Sequence, residues 1–285
     1  MELIWALAVL LILPPTLYVY TATVVSRRFP MLYNKRICLL IAHPDDEAMF
    51  FSPTVLALTR PEAGNRVKIL CLSSGDAVGL GETRKRELAK SGVVLGLKEE
   101  DDVFVLESPH FPDSMTKTWD ADKISGVLSE AFARQLVESN KTQKAAKVSV
   151  DVLITFDDKG VSSHPNHISL YHGARAFIRK LKEGGLGAPV DLYTLTTVGL
   201  VRKYAGILDL VQTVTSWGWN TDLKDKKHPA GLLFVNQLQG RTSVMRAREA
   251  MIKAHKSQMV WFRYGWITLS RYMYMNDLKL EKVED

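Results

Sequence analysis

The chain has 285 residues, of which 46% are hydrophobic and 24% charged, and its formal net charge is +6. This composition is ordinary for a globular protein and excludes a largely disordered chain. The positive excess is modest and spread along the sequence, and we find no motif typical of nucleic-acid recognition, so no nucleic-acid partner is expected.

The first predicted element is an apolar helix. The stretch from Leu3 to Val25 contains no charged residue and is long enough to cross a bilayer core of about 30 Å. A signal peptide carries positive charge before its apolar core, whereas here Glu2 precedes the stretch and Arg27 and Arg28 follow it. By the positive-inside rule, residues 1–28 are predicted to be a single-pass transmembrane anchor with the next domain in the cytosol. A cleaved signal peptide and a helix lying on the membrane are the alternatives.

The two cysteines, Cys38 and Cys71, both lie inside apolar runs. Such positions are typical of buried, reduced thiols rather than of a disulfide framework. Their placement agrees with a domain that faces a reducing compartment.

Residues 36–285 are predicted to form one domain in which strands and helices alternate. Strands are expected at 36–42, 66–73, 102–106, 150–156 and 190–198, and helices at 47–59, 84–97, 122–139 and 167–182. This alternation predicts a Rossmann-like α/β fold, with a mostly parallel sheet covered by helices on both faces. Residues 36–200 carry the motifs, whereas the aromatic-rich part at 201–285 shows no clear helix or strand pattern.

A cluster of polar residues follows the first predicted strand: His43, Asp45, Asp46 and Glu47. Pro44 and the three acids suit a helix N-terminus, but that preference does not explain the histidine. Ligands of open α/β sheets collect at the carboxyl ends of the strands, which makes this cluster a candidate site.

A second cluster, His164 and His167, follows the fourth predicted strand and also begins with His-Pro. The two histidines are three residues apart, so they share one face of a starting helix. Two histidines and one carboxylate form a ligand set that zinc commonly takes, with a position left for water. The two clusters together predict a zinc hydrolase site, and a metal-free or phosphoryl hydrolase that uses Asp45 and Asp46 is the alternative.

Three motifs resemble the PIG-L and LmbE-like family of zinc-dependent de-N-acetylases. They are AHPDDE at residues 42–47, HPxH at 164–167, and the Gly-x-x-Arg-x-x-Glu pattern of Gly81, Arg84 and Glu87. The resemblance covers about residues 36–200. Asn166 departs from bacterial members, which often carry Asp there; an Asn beside His164 would favour its protonated form less.

The resemblance also implies a role for each matching residue. It implies that His43, Asp46 and His167 bind Zn²⁺ and that Asp45 is the general base. It further implies that His164 polarises the amide carbonyl or protonates the leaving amine, and that Arg84 holds an anionic or sugar part of the substrate. Glu47 and Glu87 are expected to support the site.

The expected membrane anchor makes the chain similar to the branch of this family that acts in GPI-anchor biosynthesis, as does the stretch at 255–278. This implies hydrolysis of N-acetylglucosaminyl-phosphatidylinositol to glucosaminyl-phosphatidylinositol and acetate, the second step of that pathway, on the cytosolic side of the endoplasmic reticulum membrane. The aromatic residues of 255–278 suit either a membrane interface or the core. The alternatives are a zinc deacetylase of another N-acetyl sugar conjugate and an inactive, membrane-tethered glycolipid-binding module.

Overall fold

The computed structural model describes residues 1–134, 148–185, 190–220 and 228–284. Within these ranges, seven strands form one sheet in the order β3-β2-β1-β4-β5-β7-β6. The strands are β1 (Arg36–Ile41), β2 (Arg66–Cys71), β3 (Val103–Val105), β4 (Val152–Phe156), β5 (Asp191–Leu195), β6 (Gly231–Val235) and β7 (Met275–Leu280).

Helices connect most of these strands. They are α1 (Glu2–Arg28), α2 (Asp46–Met49), α3 (Ser52–Leu58), α4 (Gly81–Val94), α5 (Ala121–Phe132), α6 (Gly160–Ser163), α7 (Pro165–Glu183), α8 (Leu200–Lys203), α9 (Asp209–Asn220), α10 (Val244–Glu249) and α11 (Trp261–Leu269). A short π-helical turn, Ala250–Ala254, follows α10.

Strands β1 to β5 pair in parallel, and β7 runs antiparallel between β5 and β6. The central strands are apolar runs because both of their faces are covered: all of β4 and residues 37–41 of β1 are buried. The predicted α/β fold with a mostly parallel sheet is confirmed.

The strand order fixes where a site can form. From β1 the chain moves outward to β2 and β3, then returns to β4 on the other side of β1 and continues to β5. The loops after β1 and β4 therefore diverge at a switch point, where the carboxyl edge of such a sheet opens into a crevice. Both histidine clusters follow these two strands.

Several predicted boundaries differ from the structure. The helix predicted at 47–59 is two short helices, α2 and α3, separated at Phe50 and Phe51, both of which are buried. The helix predicted at 122–139 appears as α5, and its last predicted residues, 135–139, lie outside the described ranges. The part at 201–285 supplies β6 and β7 to the same sheet.

The N-terminal segment is helical, and its predicted role as a transmembrane anchor stays a prediction. None of the helices among the described residues combines the length and the apolar character that a bilayer crossing requires. The second half of α1 lies against the domain instead, where Tyr18, Ala22 and Val25 are buried. The Tyr18 hydroxyl donates to the Asn236 carbonyl at 2.6 Å. This part of the segment is occupied by packing contacts with its own domain.

Candidate active site

The switch point brings together the histidines that the sequence separates widely. The ring of His43, which follows β1, lies 4.9 Å from the ring of His164 and 5.7 Å from that of His167, measured between centroids. The His167 ring stacks on Phe156, the last residue of β4, at 3.9 Å. Packing on the sheet therefore fixes the orientation of His167.

The residues predicted to bind metal form one compact set. Ligand atoms of His43, Asp46 and His167 all lie within 4.8 Å of one another, and all three residues are buried. His167 Nε2 lies 3.3 Å from Asp46 Oδ1 but makes no hydrogen bond. A buried nitrogen without a hydrogen-bond partner, facing a carboxylate oxygen, fits a divalent ion between them.

The surroundings of this set prepare its atoms for a metal. His167 Nδ1 lies 3.2 Å from the Gly160 carbonyl oxygen, so it is the protonated nitrogen and leaves the Nε2 lone pair available. Asp46 Oδ2 accepts from the backbone N–H groups of Ala42 and His43. Burial acts to raise the pKa of Asp46, but the neighbouring imidazoles and these N–H groups outweigh it, and the pKa is lowered. Asp46 is therefore ionised, as a metal ligand would need to be.

A second set of potential ligands shares His43. It consists of His43, Asp113 and His164, with His43 Nε2 lying 3.3 Å from Asp113 Oδ1. The sequence analysis did not identify Asp113, which lies in the loop between β3 and α5. The one sequence signal that could have identified Asp113 is its position after a predicted strand, at the carboxyl edge of the sheet.

Asp45, the predicted base, is held on both its backbone and its side chain. Its φ of 121° lies where non-glycine residues are strained, at a cost of about 1–3 kcal/mol. Its N–H donates to Glu47 Oε2 at 3.1 Å, which helps to hold this conformation. Its Oδ2 lies 2.5 Å from Arg263 and 3.6 Å from Arg84. Both guanidinium groups therefore fix the same carboxylate oxygen, and Arg263 was missed by the sequence analysis.

Arg84 reaches the site, but its N–H groups bind the protein itself. They donate to the carbonyl oxygens of Gly75 at 2.7 Å and Pro44 at 2.9 Å, and one lies 3.4 Å from Asp113. The guanidinium thus ties the loop after β1 to the loop after β2. That Arg84 also holds substrate stays a prediction.

Behind the site, the C-terminal part supplies a buried partner for Glu47. His255 Nε2 lies 2.6 Å from Glu47 Oε1, and neither residue is exposed to solvent. Burial acts to lower the pKa of His255, but the Glu47 carboxylate outweighs it and the pKa is raised. Nearby, Glu87 accepts from the N–H and hydroxyl of Ser257. Glu47 and Glu87 therefore bond to residues behind the site and do not line its opening.

His164 is half-buried and caps the start of α7. Its Nδ1 accepts a hydrogen bond from the backbone N–H of Asn166 at 3.2 Å. Burial first, and then the neighbouring rings of His167 and His43, lower the pKa of His164 to about 4. The ring is therefore neutral at physiological pH, with its proton on Nε2.

The Asn166 side chain contacts His43 rather than the ring of His164. Its Oδ1 lies 3.1 Å from His43 Nε2 and also accepts from the Ser114 N–H. Its Nδ2 donates to the Lys117 carbonyl at 2.8 Å. The amide therefore joins the loop before α5 to the site, a task that needs both a donor and an acceptor.

Comparison with known proteins adds independent information. The family model described as "PIG-L: GlcNAc-PI de-N-acetylase" matches residues 38–178. The chain is 49% identical over 306 residues to the N-acetylglucosaminyl-phosphatidylinositol de-N-acetylase of Arthroderma benhamiae, with 90% of each chain covered. It is 36% identical over 249 residues to the protein of the same name from Bos taurus, covering 86% of this chain and 83% of that one.

Among solved structures, the fold is similar to that of N,N'-diacetylchitobiose deacetylase from Pyrococcus horikoshii. The TM-score is 0.50 at 14% identity, with 87% of this chain and 84% of that chain covered. At this identity the similarity concerns the fold alone. It agrees with the α/β architecture described above.

Proposed function

The chain belongs to the PIG-L family of GlcNAc-PI de-N-acetylases, and on that premise we propose that it is a hydrolase of N-acetylglucosaminyl-phosphatidylinositol. The products are glucosaminyl-phosphatidylinositol and acetate, and the reaction is the second step of GPI-anchor biosynthesis. The observation that carries this proposal is the buried set of His43, Asp46 and His167, with the unpartnered His167 Nε2 facing a carboxylate.

We infer that the ion is zinc and that His43, Asp46 and His167 hold it, because two imidazole nitrogens and one carboxylate oxygen suit zinc. When bound, zinc acts as a Lewis acid and makes water a competent nucleophile at neutral pH. The protein keeps these ligands dry and oriented, since all three are buried and Gly160 and Ala42 fix the outer atoms of two of them.

Asp45 is the group that transfers a proton from the attacking water to the departing amine. Arg263 and Arg84 both contact Oδ2, which leaves Oδ1 as the atom that accepts a proton from the attacking water. When the C–N bond breaks, the same proton passes to the departing amine nitrogen, and acetate leaves as the second product. One water is consumed: its first proton reaches the amine through Asp45, and its second, lost when the acetic acid ionises to acetate, ends on the amine as ammonium or in the solvent.

His164 stabilises the negative charge that develops on the carbonyl oxygen. Because its Nδ1 accepts from Asn166 and its pKa is lowered to about 4, its Nε2–H is a neutral donor. One such donor contributes about 3–4 kcal/mol to transition-state stabilisation in acyl-transfer enzymes. This favours carbonyl polarisation over delivery of a proton, the other role considered for His164.

We also propose that the protein works at the cytosolic face of the endoplasmic reticulum membrane. The proposed substrate is a membrane lipid, which supports a membrane location. Cys38 and Cys71 are free and buried, which supports a reducing compartment.

Acetate release from N-acetylglucosaminyl-phosphatidylinositol, compared with release from free N-acetylglucosamine, tests the proposal. We expect the lipid to be strongly preferred. Asp45→Asn should keep its metal and lose turnover by about 10²–10⁴-fold, the usual contribution of a general base. His172→Ala, at an exposed position of α7, is the control and should change neither. Equal turnover of both substrates would contradict the lipid assignment, and no acetate from either would contradict the hydrolase assignment.

A further inference from the structure

Two segments beside the site expose an unusual number of large apolar side chains, which together we name the apolar rim. Around α8 these are Leu200, Val201, Tyr204 and Leu208, and around α11 they are Val260, Trp261, Phe262, Tyr264 and Leu269. Val201 is 87% exposed and Trp261 is 86% exposed. Contiguous exposed apolar patches are uncommon on soluble proteins and mark interaction surfaces.

The two segments form one continuous surface. The ring of Tyr204, just after α8, meets the ring of Trp266 in α11 edge to face, with 5.7 Å between centroids. The Lys203 ammonium lies 4.8 Å above the Trp266 ring. These contacts hold α8 and α11 side by side, so their exposed residues present a single apolar surface.

Helix α11 also forms part of the wall of the active site. Its Arg263 reaches inward to Asp45 at 2.5 Å. Its Trp266 packs on Phe50 at 5.5 Å, and Phe50 packs on His167 at 5.6 Å. The same helix therefore contacts the site on one side and exposes Trp261 to solvent on the other, which places the apolar rim at the opening of the site.

The charge of the apolar rim is complementary to an anionic lipid surface. Residues 199–208 and 255–276 contain no Asp or Glu, and Lys256 among them is exposed. Arg202 pairs with Asp209, and Lys203 is buried. The attraction therefore comes from the lack of acidic residues and from Lys256. Aromatic residues interspersed with basic ones are typical of membrane interfaces, and basic residues near an anionic leaflet add attraction.

Helix α1 leaves the domain at this same edge. Val25 packs beside Leu233 in β6, and the Tyr18 hydroxyl bonds to Asn236, just beyond the end of that strand. The residues before Tyr18 therefore extend past the carboxyl edge of the sheet, where Ile12 is 63% exposed. The exposed apolar residues of α1 thus continue in the direction of the apolar rim.

We propose that the apolar rim docks on an anionic phospholipid bilayer and seats the opening of the active site at the headgroup layer. This rests on the proposed function, because the substrate is then a lipid whose sugar must reach the site. Docking lets the sugar enter while the acyl chains stay in the bilayer. Extraction of the chains would cost about 0.8 kcal/mol for each exposed CH₂ group.

An environment-sensitive probe on the full-length protein tests the docking surface. Cys38 and Cys71 are buried, so a nitrobenzoxadiazole attached through Val201→Cys labels one exposed position. With phosphatidylcholine vesicles that contain phosphatidylinositol, we expect its emission to rise and shift to the blue. The same probe at Tyr33→Cys, exposed before β1 at the opposite edge, should not respond.

Three outcomes of the probe experiment would overturn the proposal. The first is a probe at Val201→Cys that does not respond to vesicles. The second is an equal response at Tyr33→Cys, which would show adsorption without orientation. The third is a probe already shielded without vesicles in a sample that light scattering shows to be dimeric, because a second copy would then cover the apolar rim.

A kinetic comparison separates docking from chemistry. The double variant Leu200→Ser, Val201→Ser should lower turnover of vesicle-embedded N-acetylglucosaminyl-phosphatidylinositol by roughly tenfold or more, since it removes two inserted apolar side chains. Turnover of the water-soluble N-acetylglucosaminyl-inositol should not change, and Tyr33→Ser should affect neither. Equal loss on both substrates, or no loss on either, would contradict docking. A probe response without acetate release from either substrate would contradict the hydrolase and leave docking intact.

Discussion

Replacing His255 with alanine should destabilise the protein strongly, although this residue lies far from its partner Glu47 in sequence. In the native structure, His255 Nε2 lies 2.6 Å from Glu47 Oε1, and both residues are completely buried. The substitution leaves Glu47 with two remaining donors, the Ser91 hydroxyl and the Asp45 N–H. Neither donor carries a charge that could balance the carboxylate.

The size of the effect follows from this burial. Removing one partner of a buried ion pair costs about 3–5 kcal/mol, because the other charge stays desolvated. The substitution should also lower turnover. Glu47 Oε2 accepts from the Asp45 N–H and so helps to hold the strained backbone of Asp45, whose φ is 121°. Without a fixed Glu47, the proposed base Asp45 is held less firmly.

Urea unfolding of the wild type, His255→Ala and Glu47→Gln measures the free energy of unfolding. The double variant should lose less stability than the sum of the two single variants, since the neutral amide introduced by Glu47→Gln no longer needs a cation. His172→Ala, at an exposed position, should stay within about 0.5 kcal/mol of the wild type. A loss below about 1 kcal/mol for His255→Ala, or strict additivity with Glu47→Gln, would refute the buried ion pair.

Two further predictions follow from glycine and cysteine positions. A Cβ at Gly75 would lie 2.2 Å from an Arg84 guanidinium nitrogen, so Gly75→Ala should lower kcat/KM by displacing Arg84. Gly79→Ala, which has the same left-handed backbone but open space around it, should lose stability and keep its kcat/KM; equal kinetic losses would count against the role of Arg84. Burial raises the pKa of Cys38 to about 12 and also raises that of Cys71, so at neutral pH both stay thiols. Iodoacetamide followed by mass spectrometry should modify neither before unfolding, and rapid native labelling would contradict their burial.

The sequence was sufficient for the parts of the molecule with local signals. Apolar runs of strand length between helical segments predicted the parallel sheet. The rule that sites gather at strand carboxyl ends predicted that His43 and His167 would meet. The structure places them beside Asp46, as the motif resemblance implied. Where a segment carries its own pattern, reasoning from residues alone reached the correct placement.

The features that the sequence did not predict depend on contacts between distant parts of the chain. Asp113 and Arg263 each reach the site without a catalytic motif around them in the sequence. His255 lies in a stretch that resembles the family, and the sequence left open whether it joins the site; the structure pairs it with Glu47. Strand β7 pairs antiparallel between β5 and β6, an order that no local pattern specifies. The apolar N-terminal stretch has no local pattern that could reveal that Tyr18 and Val25 pack beside β6.

Metal removal is the most direct test of the central claim, that His43, Asp46 and His167 hold a metal for hydrolysis of N-acetylglucosaminyl-phosphatidylinositol. The metal-stripped wild type should release no acetate from this lipid and should recover when stoichiometric zinc is added. His167→Ala should bind no metal and stay inactive, whereas His164→Ala should bind metal and turn over slowly. Full turnover by the stripped protein, or metal lost from His164→Ala and kept by His167→Ala, would contradict the account.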